Sequence, residues 1–524
     1  NDIDSHYPGG YVNIFWGSSF TFAGQTGTGT YGYYEVNDRR ITNQAGNNIH
    51  SLYLQDQWTV GNRLTLNLGL RTENEKVPTF RPDYLENAFE FGFGEKLAPR
   101  LGAAFDVKGD GTVKVFGSWG LYYDWTKFEL PRGSFGAETW CTFYRGLNDL
   151  NLGAINLSNM PGNDIWFTNP GGCRDRRVAA FGGDIDPDTK PMKQSSFSAG
   201  SEFQMGRNSV VSVHYIHNDL LETIEDVGFL NADGDEGYII GNPGKGFAAT
   251  QFSSGATPAG FPIPRPKRQY DALELSYNRR FAGNYFFSAN YTLSRLYGNY
   301  AGLASSDEVT TPTTGGSSAT AQQQGGSIPR PGGNVNRVWD SDELLWDSRG
   351  NLDILGRLAT DRPHALKMYG AYDFSSGTQI GAFFYAASGT PMSTLVTSTH
   401  SADLLVYGRG DMGRTDMLNR TDLMLSQEFG VGGTKRLRFE MNVTNLFNQK
   451  TERHVYNYLN KGGIIPDRAS SYIDLSSTDL SKGYDPEALM RSTTDGAKSF
   501  DPRYRMSDLF NDGTQAYFVT KFLF

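Results

Sequence analysis

Few residues in this chain are spaced so that they could do chemistry together. Asn231-Ala232-Asp233-Gly234-Asp235-Glu236 sets oxygen donors at alternate positions, the donor type a hard cation such as Ca2+ takes. Asn231, Asp233 and Asp235 are therefore candidate calcium ligands. The distal Glu of an EF-hand loop is missing at the right spacing, and a solvated acidic turn is the alternative. Asp184-Ile185-Asp186-Pro187-Asp188 repeats the pattern with no greater force. The two cysteines, Cys141 and Cys173, share one long stretch without strand periodicity. An even pair in an oxidising compartment is most simply a disulfide, here closing about thirty residues and stabilising by roughly 3 kcal/mol on the entropic model. No CxxC spacing or paired His accompanies them, which disfavours a metal site. His214 and His217 are three apart in an expected strand, so they point to opposite faces and cannot share an ion. His364, beside Asp361 and Arg362, marks a loop-to-strand boundary. There is no nucleophile elbow, zinc-protease helix motif or phosphate loop, and the chain is not expected to be an enzyme.

The elements that hold these residues are extended. The chain has 524 residues with Lys+Arg 48 against Asp+Glu 57, a net charge of -9 that argues against a nucleic-acid partner. Gly 62, Tyr 28 and Phe 34 against Cys 2 favour extended structure with many turns over helix bundles or disulfide-stapled modules. No run of about 18 apolar residues offers a helical membrane span, and no signal peptide opens the chain. Position 1 is Asn, so the sequence is expected to begin after processing or inside a longer precursor.

Period-two alternation recurs in segments of about 9–11 residues, the length a tilted strand needs to cross a bilayer. Leu64-Thr65-Leu66-Asn67-Leu68-Gly69-Leu70 is the clearest, and Leu437-Arg438-Phe439-Glu440-Met441-Asn442-Val443-Thr444 puts its charges opposite its apolar side chains. Arg438, Glu440, Lys367, Asp373 and Glu274 all fall in the polar phase of their strands. About fifteen strands are expected: near 11–23, 31–41, 50–60, 63–77, 96–108, 112–125, 195–206, 209–220, 270–282, 285–298, 364–375, 378–392, 419–430, 435–448 and 513–524. Short Gly/Asn-rich turns, such as Gly61-Asn62 and Gly283-Asn284, alternate strictly with long polar stretches at roughly 78–95, 126–194, 221–269, 299–363, 393–418 and 449–512. Long loops gathered at one end are the mark of an antiparallel transmembrane β-barrel with short periplasmic turns and long extracellular loops. Trp119, Tyr122, Tyr123 and Trp125, and likewise Tyr291, Tyr297 and Tyr300, are expected in the interfacial aromatic girdle, with sugar stacking as the alternative.

The chain ends Ala516-Tyr517-Phe518-Val519-Thr520-Lys521-Phe522-Leu523-Phe524. Phe518, Phe522 and the terminal Phe524 resemble the signal read by the barrel-assembly machinery of bacterial outer membranes. His50-Ser51-Leu52-Tyr53-Leu54-Gln55-Asp56-Gln57-Trp58 followed by Arg63-Leu64-Thr65-Leu66-Asn67-Leu68-Gly69-Leu70-Arg71-Thr72-Glu73 is similar to paired mid-barrel strands of TonB-dependent receptors, in particular the Oar-like group. Thr360-Asp361-Arg362-Pro363-His364, Ser388-Gly389-Thr390-Pro391 and Asn442-Val443-Thr444-Asn445-Leu446-Phe447-Asn448 resemble that group too. The resemblance spans roughly residues 50 to 524.

It implies a 22-stranded, plugged barrel in the outer membrane that takes up siderophores, glycans or peptides with energy passed through TonB. Outer-membrane lipid, the assembly machinery, TonB if a plug is encoded upstream, and surface proteins are then the partners. Neither plug nor TonB box is found here, and the strands are too few. The chain therefore reads as the C-terminal portion of a barrel, with plug and N-terminal strands elsewhere. Ligand recognition would fall to the loops at 126–194, 221–269 and 299–363. A plugless porin or a structural surface or adhesion protein is the alternative, and a soluble β-rich binding module fits the loop rhythm poorly.

Overall fold

The computed structural model describes residues 2–6, 10–22, 25–44, 46–79, 86–126, 138–167, 173–174, 185–230, 236–250, 260–302, 338–339, 341–399, 403–461 and 471–524. Thirteen strands form an uninterrupted antiparallel meander in chain order. They are β1 (Ile49–Val60), β2 (Leu64–Pro78), β3 (Ala98–Asp106), β4 (Val113–Tyr123), β5 (Lys193–Met205), β6 (Ser209–Glu222) and β7 (Arg268–Ala282). The series continues with β8 (Tyr285–Gly298), β9 (His364–Asp373), β10 (Thr378–Ala387), β11 (Leu418–Gly432), β12 (Lys435–Thr444) and β13 (Gln515–Leu523). Two short strands, Asn87–Phe91 and Gly356–Arg357, extend β2 and β8 and bring the sheet to fifteen. No helix among the described residues is long and apolar enough to cross a membrane.

Register carries the alternation from strand to strand. Val213, Leu275 and Tyr291 lie side by side across β6, β7 and β8, as do Leu425 and Met441 across β11 and β12. One residue along, His214 faces Glu274, Ser276 faces Asn290, and Glu428 faces Arg438. Because side chains alternate with period two, every such row stays on its own wall, one apolar and one polar. Glu274, Lys367, Asp373, Arg438 and Glu440 all share the polar wall, as their strand phase requires. The short turns sit together at one end. At the tightest, Gly283 and Asn284 have φ of 60 and 70, the paired positive values of a two-residue type I′ turn, which match the right-handed twist of the strands.

Two expectations change. The segments expected as barrel strands at 11–23 and 31–41 do not join the meander. Tyr11–Trp16 instead pairs with Gly32–Gln44, which pairs in turn with Glu138–Gly146 from the long loop, in a separate six-stranded sheet. Tyr34 and Val36, alternate residues of that strand, are buried against Leu147 and Ile155 rather than facing lipid. Alternation identifies a half-buried strand but not the partner that buries it.

The long loops, polar stretches in the sequence, share a core. Val227, Phe261 and Ile263 from one loop, Trp339 and Trp346 from the next, Val396 and Leu404 from a third, and Ile473 and Met490 from a fourth form a single buried cluster. Its apolar residues lie far apart in sequence with no regular period, so only the folded chain brings them together.

An arginine at Leu275, on the apolar wall between Val213 and Tyr291, is expected to destabilise the membrane-embedded protein by about 2–4 kcal/mol. Ser276→Arg, one residue away on the polar wall, is expected to shift stability far less. Urea titration of both variants in lipid vesicles, read by heat-modifiable gel mobility, checks the contrast; equal losses would contradict the assignment of walls.

Candidate functional site

The end of the sheet that carries the long loops is where polar groups gather. Three of the segments that resemble known receptors sit here. Asp361 is 1% exposed, accepts a hydrogen bond from the Leu296 backbone N–H at 2.6 Å and pairs with Arg414, with Arg357 at 3.5 Å. It ties the end of β8 to the loop that leads into β9 and to the loop after β10. Gly389 leaves no room for a side chain: a Cβ there would lie 1.6 Å from the Thr415 carbonyl oxygen. Asn445, at φ of 50, donates from Nδ2 to the carbonyls of Gln449 at 3.1 Å and Asp512 at 2.8 Å, and its backbone N–H donates to Asp422 at 2.9 Å. These residues fasten strand ends to loops and do not project into a cavity.

A second fastening is a buried charge cluster on the polar wall. Lys96, fully buried, sets its Nζ 2.5 Å from Glu75 and 3.3 Å from Glu73, and also donates to the Asp124 carbonyl at 3.4 Å. Glu75 accepts the Thr126 N–H at 2.9 Å, while Glu73 accepts Trp125 Nε1 at 3.2 Å and Arg71 at 3.1 Å. Two carboxylates face two cations, and each of the four carboxylate oxygens has at least one donor, the condition under which buried charges are tolerated. No motif marks Lys96 in the sequence. The clue is its position in a short segment between two strands, and that clue carries no information about burial.

Two of the recesses among the described residues open between the loops. One, of about 540 Å³, is lined by Arg349, Tyr407, Tyr484, Asp485, Glu487 and Arg491. Its arginines are internally compensated, Arg349 by Asp347 at 3.0 Å and Arg491 by Glu487 at 2.9 Å. Burial pushes the Asp347 carboxyl up, but hydrogen bonds from Asn351 and Arg349 outweigh this and hold it below the usual carboxylate range. The other recess, about 390 Å³, lies where the polar wall of β4, β5, β6 and β7 meets the loop core, with Tyr122, Gln194 and Arg268 in its lining.

Of the residues singled out in the sequence, Asn231, Asp233 and Asp235 lie outside the described residues, as does Asp184. Asp186 accepts hydrogen bonds from the backbone N–H groups of Asp188 at 2.8 Å and Phe247 at 2.8 Å, so its oxygens serve a turn. Among the described residues no three His, Cys, Asp or Glu side chains are grouped to hold a metal ion. Backbone register sets Cys141 directly opposite Cys173 on antiparallel neighbours. His214 lies 3.7 Å from Glu274 on the polar wall, and His217 lies 2.7 Å from Asp271 on the other. Phe518, Phe522 and Phe524 are all exposed and alternate along one face of the last strand.

The expected aromatic girdle divides. Trp119 lies between Leu101 and Phe197 on the apolar wall, but Tyr122 is in the polar phase, with the Arg100 guanidinium 4.7 Å from its ring centre. Trp125 turns to Glu73, and Tyr300, 3% exposed, is part of the loop core. Rings at the rim of a sheet have three environments within reach, and the sequence does not distinguish them.

Residues 19–327 match the family described as an outer membrane beta barrel domain. The chain is 28% identical over 481 residues to the TonB-dependent transporter Oar of Myxococcus xanthus, covering 84% of this chain and 40% of that relative. The chain thus spans less than half of the length of the curated relative it matches. Among solved structures it is similar to the outer membrane transporter YddB from Escherichia coli, with a TM-score of 0.45, 12% identity, and coverage of 81% and 48% of the two chains. It is also similar to the ferric-catecholate import receptor Fiu from E. coli, with a TM-score of 0.39, 11% identity, and coverage of 96% and 46%.

Lys96→Met removes the cation from between Glu73 and Glu75 and is expected to destabilise the rim by about 3–5 kcal/mol. Adding Glu75→Gln is expected to recover a substantial part of that loss. Limited proteolysis of the folded protein, followed at the Asp124 to Thr126 segment, reads both effects; a single variant as resistant as the wild type would refute the role of the cluster.

Proposed function

We propose, on the premise that this chain belongs to the outer membrane beta barrel domain family, that it forms the wall and outer mouth of a TonB-dependent transporter. The observation that carries the reading is the likeness to Oar along 84% of the chain. The geometry supports it: a polar wall continues into a cored set of loops with recesses at their base, an arrangement suited to catching a ligand outside and passing it inward. The role is that of receptor and conduit, and no bond-making step is assigned to any residue.

The chain is an outer-membrane protein, so lipid contacts its apolar wall. The other partners belong to the proposal. The aromatic face of β13 suits recognition by the barrel-assembly machinery, and TonB would supply the energy for uptake. The sheet is read as the C-terminal portion of a barrel. β1 and β13 are its two edges among the described residues, and β1 is exposed on both faces. In a meander of thirteen strands the first and last run the same way. An odd number of further strands would close it with antiparallel pairs throughout and satisfy the backbone in lipid. The facing positions of Cys141 and Cys173 support a disulfide that holds the small extracellular sheet together.

Two measurements test this. A plugged transporter is expected to hold planar lipid bilayers closed when the full-length native protein is reconstituted without ligand. Steady ohmic steps would overturn the transporter reading in favour of a passive porin. For the disulfide, alkylation of the denatured, unreduced protein is expected to add no mass. Labelling of both thiols would reject it.

A further inference from the structure

The recess of about 390 Å³ at the head of the polar wall is lined by Tyr122, Tyr123, Lys193, Gln194, Arg268 and Tyr300, among others. Three strands, β4, β5 and β7, and the segment after β8 supply these residues, so the recess is built by tertiary structure and not by one local turn. Its size falls at the lower end of small-molecule sites.

Its charges are what set it apart. Arg268 is exposed to the recess and has no ion-pair partner among the described residues. Lys193 is likewise without one: Glu222, opposite it in register, is already paired with Lys245. The carboxylate in the lining is Asp124, whose Oδ1 accepts the Trp125 N–H at 2.9 Å. Two cations against one acid leave the lining net positive, with the Glu225 carboxylate outside the lining as a side-chain hydrogen-bond partner of Tyr300. Three other cations at this end are matched, Lys96 by two glutamates, Arg414 by Asp361 and Arg491 by Glu487, and Arg362 donates to the Ser388 carbonyl.

The rings supply the rest of the recognition. Arg100 covers one face of Tyr122 at 4.7 Å, and the residue is still 41% exposed. Tyr300 is held by the Thr223 hydroxyl at 3.1 Å and packs on Trp339, so its edge is a fixed wall. Leu220 adds an apolar floor continuous with the loop core. A guanidinium that forms a planar fork, an ammonium beside it and flat apolar walls suit a carboxylate borne on an aromatic or apolar body.

We propose that this recess binds small organic acids of that class, through Arg268 and Lys193 at the carboxylate and Tyr122 at the body. The inference rests on the receptor reading above and specifies the class of ligand that the mouth of the barrel accepts.

The test uses the full-length native protein in detergent and two nearly isosteric probes, N-acetyltyrosine with its carboxylate and N-acetyltyrosinamide with a neutral carboxamide in its place, followed by saturation-transfer NMR titration. The acid is expected to bind roughly tenfold more tightly than the amide, the effect of one charge-assisted hydrogen bond. Arg268→Gln is expected to abolish that preference and Arg268→Lys to restore part of it. Lys435→Gln, at a short turn on the opposite end of the sheet, should leave it intact. Heat-modifiable mobility checks that each variant is folded. Equal binding of acid and amide, no binding of either at millimolar concentration, or an acid preference unchanged in both Arg268→Gln and Lys193→Gln would overturn the proposal. The assay needs neither TonB nor a membrane potential. An open pore that prefers the acid would thus refute only the transporter reading, and a closed one that binds no acid would refute only this inference.

Discussion

Backbone hydrogen bonding in a medium without water is the constraint on which this structure depends. In hydrocarbon every exposed N–H and C=O must find a partner within the protein, and strands can satisfy one another only by pairing on both edges. The thirteen-strand meander does this for its eleven inner strands with no crossover and no gap in the series. Pairing in this way fixes register, and register in turn sorts side chains into one wall for lipid and one for water. Two edges remain, and their unpaired backbone is the physical reason for reading the sheet as part of a larger closed wall.

A wall made only of such pairs would fray where the strands leave the membrane. The rim answers with interactions of another kind: Asp361 between two arginines, Asn445 bridging two carbonyls, and Lys96 held between Glu75 and Glu73. Each has little or no exposed surface, and each joins a strand end to a loop. Above them the loops bury Trp339, Val396, Ile473 and Met490 in one core. The mouth is therefore held in shape from below by ion pairs and from above by apolar packing. A receptor surface gains from this, because side chains already held in place lose less entropy on binding.

Most charges at this end serve the fold, which gives meaning to those that do not. Cations matched by buried or hydrogen-bonded carboxylates are structural, and three of the segments by which the chain resembles other receptors likewise fasten strand ends to loops. Arg268 and Lys193 fall outside the pattern, in a recess walled by rings. Recognition in this fold is expected where the structural networks leave charge uncompensated, rather than where family-like motifs cluster.

The amino-acid sequence by itself determined the barrel strands from residue 49 onward, their phase and the end to which the long loops belong, because alternation and tight-turn chemistry are local properties of the chain. The same signal misled at 11–23 and 31–41, where strands of ordinary appearance are buried by a loop more than a hundred residues away. Only the tertiary structure decided that Tyr122 faces the polar wall while Trp119 faces lipid, that Tyr300 is core, and that Lys96 is buried between two acids. Which side chain stands beside which across strands and loops is a matter of register and loop closure, and no spacing within a single segment encodes it.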